Sequence, residues 1–436
     1  MNTNHDSGST RRNFLVSSSA ALVGATLLRS AYAKPPKGRD ERELKVALIG
    51  CGGRGTGAAA QALSTSGKVK LVAMADAFSD RLEGCLAELK KDHGDRVDVP
   101  EARRFLGFDA YKKAIDCDVD VVILTTQPGF RPSHFEYAVS KGRNVFMEKP
   151  VAVDGPGVRR VLAAAAEAKK KNLKVSVGLQ RHHDALYVET IKRLQDGAIG
   201  DINFTRAYWN SAGVWVYKRQ ATMTEMEYQM RNWYYFTWLC GDHIVEQHIH
   251  NLDVINWLKN GHPTQAQGQG GRQVRVGPDY GEIYDHHCVE FTYPDGSTLF
   301  SQCRHEANCW ESVTEHAHGS LGNCDISRAS ITPVKGEPWR SKLDGGDPYQ
   351  VEHDVLFAAI RNDTPHNEAE YGAHSTMTAI LGRMATYSGK IVTWDDAINS
   401  KLSLWPAELD WKAQPPTLPD ASGLYAIPMP GAAHAF

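Results

Sequence analysis

The chain has 436 residues, 42% hydrophobic and 23% charged, which is enough ordinary globular sequence for two domains with separate cores. Its 49 basic side chains nearly balance 51 acidic ones, for a net charge of −2, so no basic surface points to a nucleic-acid partner. No uncharged apolar run is long enough to span a membrane.

In chain order, the first signal is Arg11-Arg12-Asn13-Phe14-Leu15, followed by a mild apolar stretch to Leu28 and by Ala31-Tyr32-Ala33. A charged start, a short apolar region and a small-x-small site predict a cleaved export segment over 1–33, and the paired arginines resemble a twin-arginine signal. Such a signal predicts a periplasmic or other extracytoplasmic protein, exported folded. Residues 34–43, polar and rich in Pro and Gly, predict a linker. Leu44–Ile49 predicts a strand, and Ala58–Leu63 opens a helix of small residues. Val69–Ala75 predicts a second strand that ends on Asp76. Strands at Val119–Thr125, Arg143–Met147 and Lys174–Gly178 alternate with helices near 79–91, 132–141 and 154–171. This alternation predicts an α/β unit over 44–180, a doubly wound parallel sheet.

Beyond residue 180 the pattern changes. A helix near 184–196, a strand at Ile202–Trp209 and a helix at 242–259 precede alternating segments at 271–276, 287–293 and 298–304. Two helices, near 350–361 and 371–389, close the unit. These predict an α+β substrate domain over 181–412 with an open, largely antiparallel sheet. A Pro/Gly-rich tail over 413–436 is expected along the surface or against a neighbouring subunit. The eight cysteines contain no Cys-x-x-Cys, which argues against a thiolate zinc site; Cys303 and Cys309 are close enough to suggest a bridge.

The strongest motif is Gly50-Cys51-Gly52-Gly53-Arg54-Gly55, placed between an apolar strand and a helix. Glycines here allow a tight turn and let backbone N–H groups approach a pyrophosphate at the helix N-terminus. Asp76 ends the next strand, where a carboxylate accepts from ribose hydroxyls and repels a 2′-phosphate. The expected cofactor is therefore NAD. Arg81 lies close enough in sequence to leave NADP open. Gly50, Gly52, Gly53, Arg54, Gly55, Asp76, Thr125, Glu148 and Lys149 are the candidate nucleotide contacts, gathered at the carboxyl ends of the strands.

Further motifs follow in order: Glu148-Lys149-Pro150 after the fifth strand, Gly178-Leu179-Gln180-Arg181-His182, Gly197-Ala198-Ile199-Gly200, and His250-Asn251-Leu252-Asp253 ending in Trp257-Leu258. Together they resemble the glucose–fructose oxidoreductase/inositol dehydrogenase (Gfo/Idh/MocA) superfamily over roughly residues 44–400. The resemblance implies a lysine, Lys149, beside the nicotinamide and substrate, and a helix histidine, His250, as acid/base. Oxidising a carbinol requires loss of its hydroxyl proton, a task suited to a histidine base and an alkoxide-stabilising lysine.

At 100° per residue, His243, Glu246, His250 and Asp253 share one arc of the 242–259 helix. Glu246 is taken with Lys149 and His250 as catalytic, and Arg181, His182, His243 and Asp253 as substrate-binding. Many family members carry Asp-x-Gly-x-His where this chain has Glu246, His248 and His250. That departure admits a divalent metal, with His286, His287, His305, His316 and His318 as further donors, although no metal is assigned. Ten aromatics between Tyr208 and Trp238 suit the apolar faces of a sugar ring.

The sequence thus predicts an NAD(P)-dependent oxidoreductase with a tightly held nicotinamide, acting on a carbinol of a sugar, polyol or glycoside, and assembled as a homodimer or homotetramer. Two alternatives remain open. One is a glycoside hydrolase using transient oxidation, elimination and water addition. The other is a non-catalytic sugar-binding relative.

Overall fold

A computed structural model describes residues 41–436, so the export segment and most of the expected linker lie outside the described residues. Six parallel strands form the first sheet: β1 (Leu44–Ile49), β2 (Val69–Asp76), β3 (Arg104–Leu106), β4 (Val121–Leu124), β5 (Asn144–Met147) and β6 (Val175–Val177). Their order is β3-β2-β1-β4-β5-β6, so the winding reverses between β1 and β4. The connections leaving those two strands diverge and open a crevice at their carboxyl ends. Every residue of β4 is buried, as a continuous apolar run must be when helices cover both faces of the sheet.

The second sheet has nine strands in the order β14-β13-β12-β11-β7-β10-β9-β8-β15. They are β7 (Ile202–Ser211), β8 (Gln265–Gly271), β9 (His286–Thr292), β10 (Thr298–His305), β11 (Ser312–Gly319), β12 (Gly322–Asp325), β13 (Ser330–Pro333), β14 (Trp339–Arg340) and β15 (Val392–Thr393). Neighbours run antiparallel except β7 with β10. Side chains of β10 alternate between buried and half-buried, so one face meets the helices and the other stays open. The helix Ala369–Ser388 packs on this inner face and also against Gly155–Lys170 of the first sheet's layer. It is apolar or small nearly all round and is buried along most of its length.

Four expectations are corrected. The strand expected at 271–276 is β8, which ends at Gly271. The N–H groups of Gln273, Val274 and Arg275 all donate to one Asp285 carboxylate oxygen, which bends this segment away from the sheet. The helix expected to run unbroken over 242–259 is two, His243–Glu246 and Ile249–Lys259. Lys149 Nζ takes the Glu246 carbonyl at 2.6 Å, and His250 N–H turns to Gln247 O at 3.3 Å. A tertiary contact has captured an acceptor the helix would have used.

The helix Pro348–Asn362, expected to close the second unit, instead packs on Gly53–Ser64 and buries Leu356 and Phe357 in the core beneath β1 and β5. Its apolar stripe carried no label for the sheet it would cover. The fourth correction concerns Cys303 and Cys309, which are free, one buried inside β10 and the other exposed. The tail lies along its own chain: Tyr425 is buried, and Gln229 Nε2 donates to Thr417 O at 2.7 Å.

Candidate active site

At the crevice between β1 and β4 the backbone makes a tight turn. Gly50 has φ +95°, and a Cβ there would meet the backbone of Thr125 and Thr126 at 2.5–2.9 Å. A Cβ on Gly55 would lie 2.0 Å from the Gly50 carbonyl, so helix and strand approach as only glycine permits. Gly52 and Gly53 have nothing within 4 Å of an added Cβ, which leaves their backbone open to a ligand. Thr125 Oγ1 donates to Gly50 O at 2.6 Å and holds the turn against β4.

Asp76 accepts from the N–H groups of Cys51 at 2.6 Å and Phe78 at 2.9 Å, which aims its carboxylate at the turn. Burial raises its pKa, while those two bonds pull the other way. Arg54, the first side chain beyond the open glycines, donates to Glu148 Oε1 at 2.6 Å and lies over the Tyr349 ring.

These groups line a cavity of about 750 Å3 that reaches the second sheet. Lys149, Glu246 and His250 border the same cavity. Lys149 Nζ donates to Glu246 Oε1 at 3.0 Å as well as to its carbonyl, so the broken helix holds the amine in place. Trp209 lies nearly parallel to the His250 ring, with centroids 6.0 Å apart. The His250 Nδ1 is buried with no hydrogen-bond partner. Burial first, then the positive charges of Lys149 and Arg181, hold its pKa well below the ordinary histidine value. The imidazole is therefore neutral at neutral pH and free to accept a proton.

The remaining expected contacts lie elsewhere. Arg181, His182, His243 and Asp253, expected to bind substrate, do not border this cavity. Arg181 pairs with fully buried Glu315, which also accepts from Tyr187 and Asn251. His182 is stacked between Trp257 and Tyr371 and bonds Asp253 at 2.8 Å, while Asp253 also accepts from Ser375. His243 bonds Asp242 at 2.8 Å, with both side chains fully buried. The break between Glu246 and Ile249 interrupts the arc that the four residues would share on one continuous helix.

The same break separates the metal candidates. Glu246 goes to Lys149, His248 bonds Ser301 at 2.7 Å, and His250 faces the cavity. Potential ligand atoms of Asp242, His243 and His287 do lie within 4.8 Å of one another. Asp242 there already accepts from His243, from Tyr284 N–H and from Tyr387 Oη. Of the ten clustered aromatics, Trp209, Trp215, Tyr217 and Trp233 line the cavity. Phe236 and Trp238 belong to a packed core, and Tyr208 is buried with its ring edge-on to Trp310.

Sequence reasoning missed Arg131, His134, Arg231, Gln247 and Tyr349, all of which border the cavity. An arginine in the segment that follows β4 was the available signal for Arg131. Arg231 and Tyr349 arrive from distant segments and carried none.

The residues fit a dinucleotide: an open glycine turn, the carboxylate beside it and the Lys149, Glu246 and His250 side chains share one cavity. Inositol 2-dehydrogenase of Klebsiella pneumoniae (strain 342) is 26% identical over 330 residues, covering 73% of this chain and 86% of that protein. Aldose-aldose oxidoreductase from Caulobacter crescentus, solved with glycerol, superposes with TM-score 0.63 at 20% identity, over 81% of this chain and 100% of its own. Scyllo-inositol dehydrogenase from Lactobacillus casei, solved with NAD(H) and scyllo-inositol, gives TM-score 0.61 at 19% identity, over 81% and 100%. At such identities the superpositions establish the fold. Residues 44–179 match the Gfo/Idh/MocA model, an oxidoreductase family with an NAD-binding Rossmann fold. Residues 44–179, which hold the glycine turn and Asp76, thus form a Rossmann domain that matches the NAD-binding model of the Gfo/Idh/MocA oxidoreductases.

Proposed function

We propose that this NAD-dependent oxidoreductase interconverts a carbinol and a carbonyl on a sugar, polyol or glycoside, with Lys149 and His250 handling the proton. The observation that carries this reading is the position of a neutral, unpartnered imidazole and a lysine amine in the cavity that begins at the glycine turn. Bound NAD supplies the hydride acceptor. His250 takes the hydroxyl proton, Lys149 donates to the oxygen as negative charge develops, and Glu246 orients the amine. Trp209 and Trp215 offer flat apolar faces to the C–H side of a ring. Asp76 favours NAD over NADP, and Arg81 on the same cavity wall tempers that preference.

A panel of sugars, polyols and aryl glycosides tests the reading when each is scored for both NADH absorbance and glycosidic cleavage. Oxidation without cleavage supports it. Cleavage with no net NADH change would replace it with the redox-neutral glycosidase, and silence on both readouts would favour a binding protein.

Two further proposals concern the whole chain. Residues 1–33 direct export by the twin-arginine route, so changing Arg11 and Arg12 to lysine should leave unprocessed protein in the cytoplasm. The chain forms a homodimer or homotetramer, supported by Phe204 and Trp310, exposed by 37% and 62% beside the open face of the second sheet. Light scattering that returns a monomer mass would reject assembly.

A further inference from the structure

The adenosine end of the cavity is closed by a residue from outside the Rossmann layer. Arg231, at the end of the helix Glu225–Arg231, reaches over the Phe78 ring with its guanidinium carbon 3.8 Å from the ring centroid. It donates to Asp80 at 2.8 Å, and Asp80 lies in the first turn of the helix Ser79–His93. Phe78 is in turn bonded through its N–H to Asp76, the carboxylate expected to receive the ribose. The contact therefore spans the cleft within two residues of the ribose-binding position.

Both rings on this wall are backed from behind. Trp411, in the segment leading to the tail, packs against Phe78 at 5.2 Å and Phe108 at 4.5 Å. Tyr217 and Trp233 continue the roof from the connection that follows β7. The Arg231 side chain is only 15% exposed, whereas Asp80 is 58% exposed, so the pair has one sheltered and one solvated partner.

We infer that Arg231 is the latch that retains the dinucleotide, and that NAD(H) leaves only when the Arg231–Asp80 pair opens. This goes beyond the assignment of Lys149 and His250, and rests on that reading only for the identity of the nucleotide.

Nucleotide release from the full chain tests the latch directly, followed by NADH fluorescence after mixing with excess NAD and with no sugar present. Wild type should keep NAD(H) through gel filtration. Arg231→Ala, which loses the ion pair and the ring contact, should release about tenfold faster, and Asp80→Asn about threefold faster, the scale of one such contact each. Raising the salt concentration should speed release from wild type and leave Asp80→Asn unchanged, because the exposed partner is screened. Asp80 lies outside the cavity on the surface, so its variant tests the latch without disturbing the core. Release from both variants at the wild-type rate would overturn the latch, as would wild type that loses its nucleotide as fast as they do. Because no substrate turns over, a failed latch and a failed sugar oxidation are read separately.

Discussion

At the scale of single residues, the proposed chemistry depends on a base kept neutral and an amine kept aimed. Changing either His250 or Lys149 to Ala should lower turnover by at least about a hundredfold, the usual scale for acid–base groups. His250→Ala should keep its nucleotide, because Asp76 and the glycine turn belong to the first sheet and His250 to a helix outside it. The pH dependence has a definite sign. Burial and the Lys149 charge hold His250 below the ordinary value of about 6.5, so the acid limb of kcat/KM should lie below that pH. Lys149→Met removes one of the two positive neighbours and should move the His250 titration upward. An NMR titration of the ring that is unmoved or shifts downward would contradict the assignment. Asp76→Ala should weaken retention of NAD relative to NADP, measured by nucleotide recovered on denaturation; an unchanged ratio would remove Asp76 from cofactor choice.

At the scale of elements, the informative event is the break between His243–Glu246 and Ile249–Lys259. Helical periodicity placed His243, Glu246, His250 and Asp253 on one face, but Lys149 from the first sheet removes the Glu246 carbonyl from the ladder. Only Glu246 and His250 then reach the cavity. Arg181 was read as a substrate contact because its motif follows β6, yet Glu315 on β11 draws it into a buried pair that ties the first sheet's last strand to the second sheet. Truncating one partner of such a pair strands a buried charge. Glu315→Ala should therefore cost roughly 3–5 kcal/mol of stability. Denaturant unfolding measures that loss, and unaltered nucleotide content in the folded protein would separate it from the active site. A loss under 1 kcal/mol would mean that Arg181 reaches water or another acceptor.

At the scale of the whole molecule, many histidines are buried in neutral form. Burial is the first cause in each case, lowering His243 to about 4 and His248 to about 3, and holding His134, His250 and His353 well down. Between the unfolded histidine value near 6.5 and these depressed values, the unfolded chain binds more protons than the folded one. Stability is thus fully present above that window and falls as the pH drops through it. Glu352 and Glu315, raised by burial, act in the opposite direction and offset part of the loss. The midpoint of urea unfolding should be lower at pH 5 than at pH 7. An equal or higher midpoint at pH 5 would show that the histidines take up protons without unfolding.

Local signals sufficed for the nucleotide half. A strand, a glycine turn, a helix and an acid ending the next strand are specified over about thirty consecutive residues, since strand burial, turn geometry and helix start are short-range constraints. The motifs that singled out Lys149 and His250 also named two residues that line the same cavity. What the sequence left undecided was every choice between partners distant along the chain. Examples are the sheet that Pro348–Asn362 covers, the acceptor that draws Arg181 inward, the carbonyl that Lys149 takes from a helix, and the reach of Arg231 across the cleft. Each is settled by which buried charge or apolar face finds a complement in three dimensions, and periodicity along one segment carries no record of its partner.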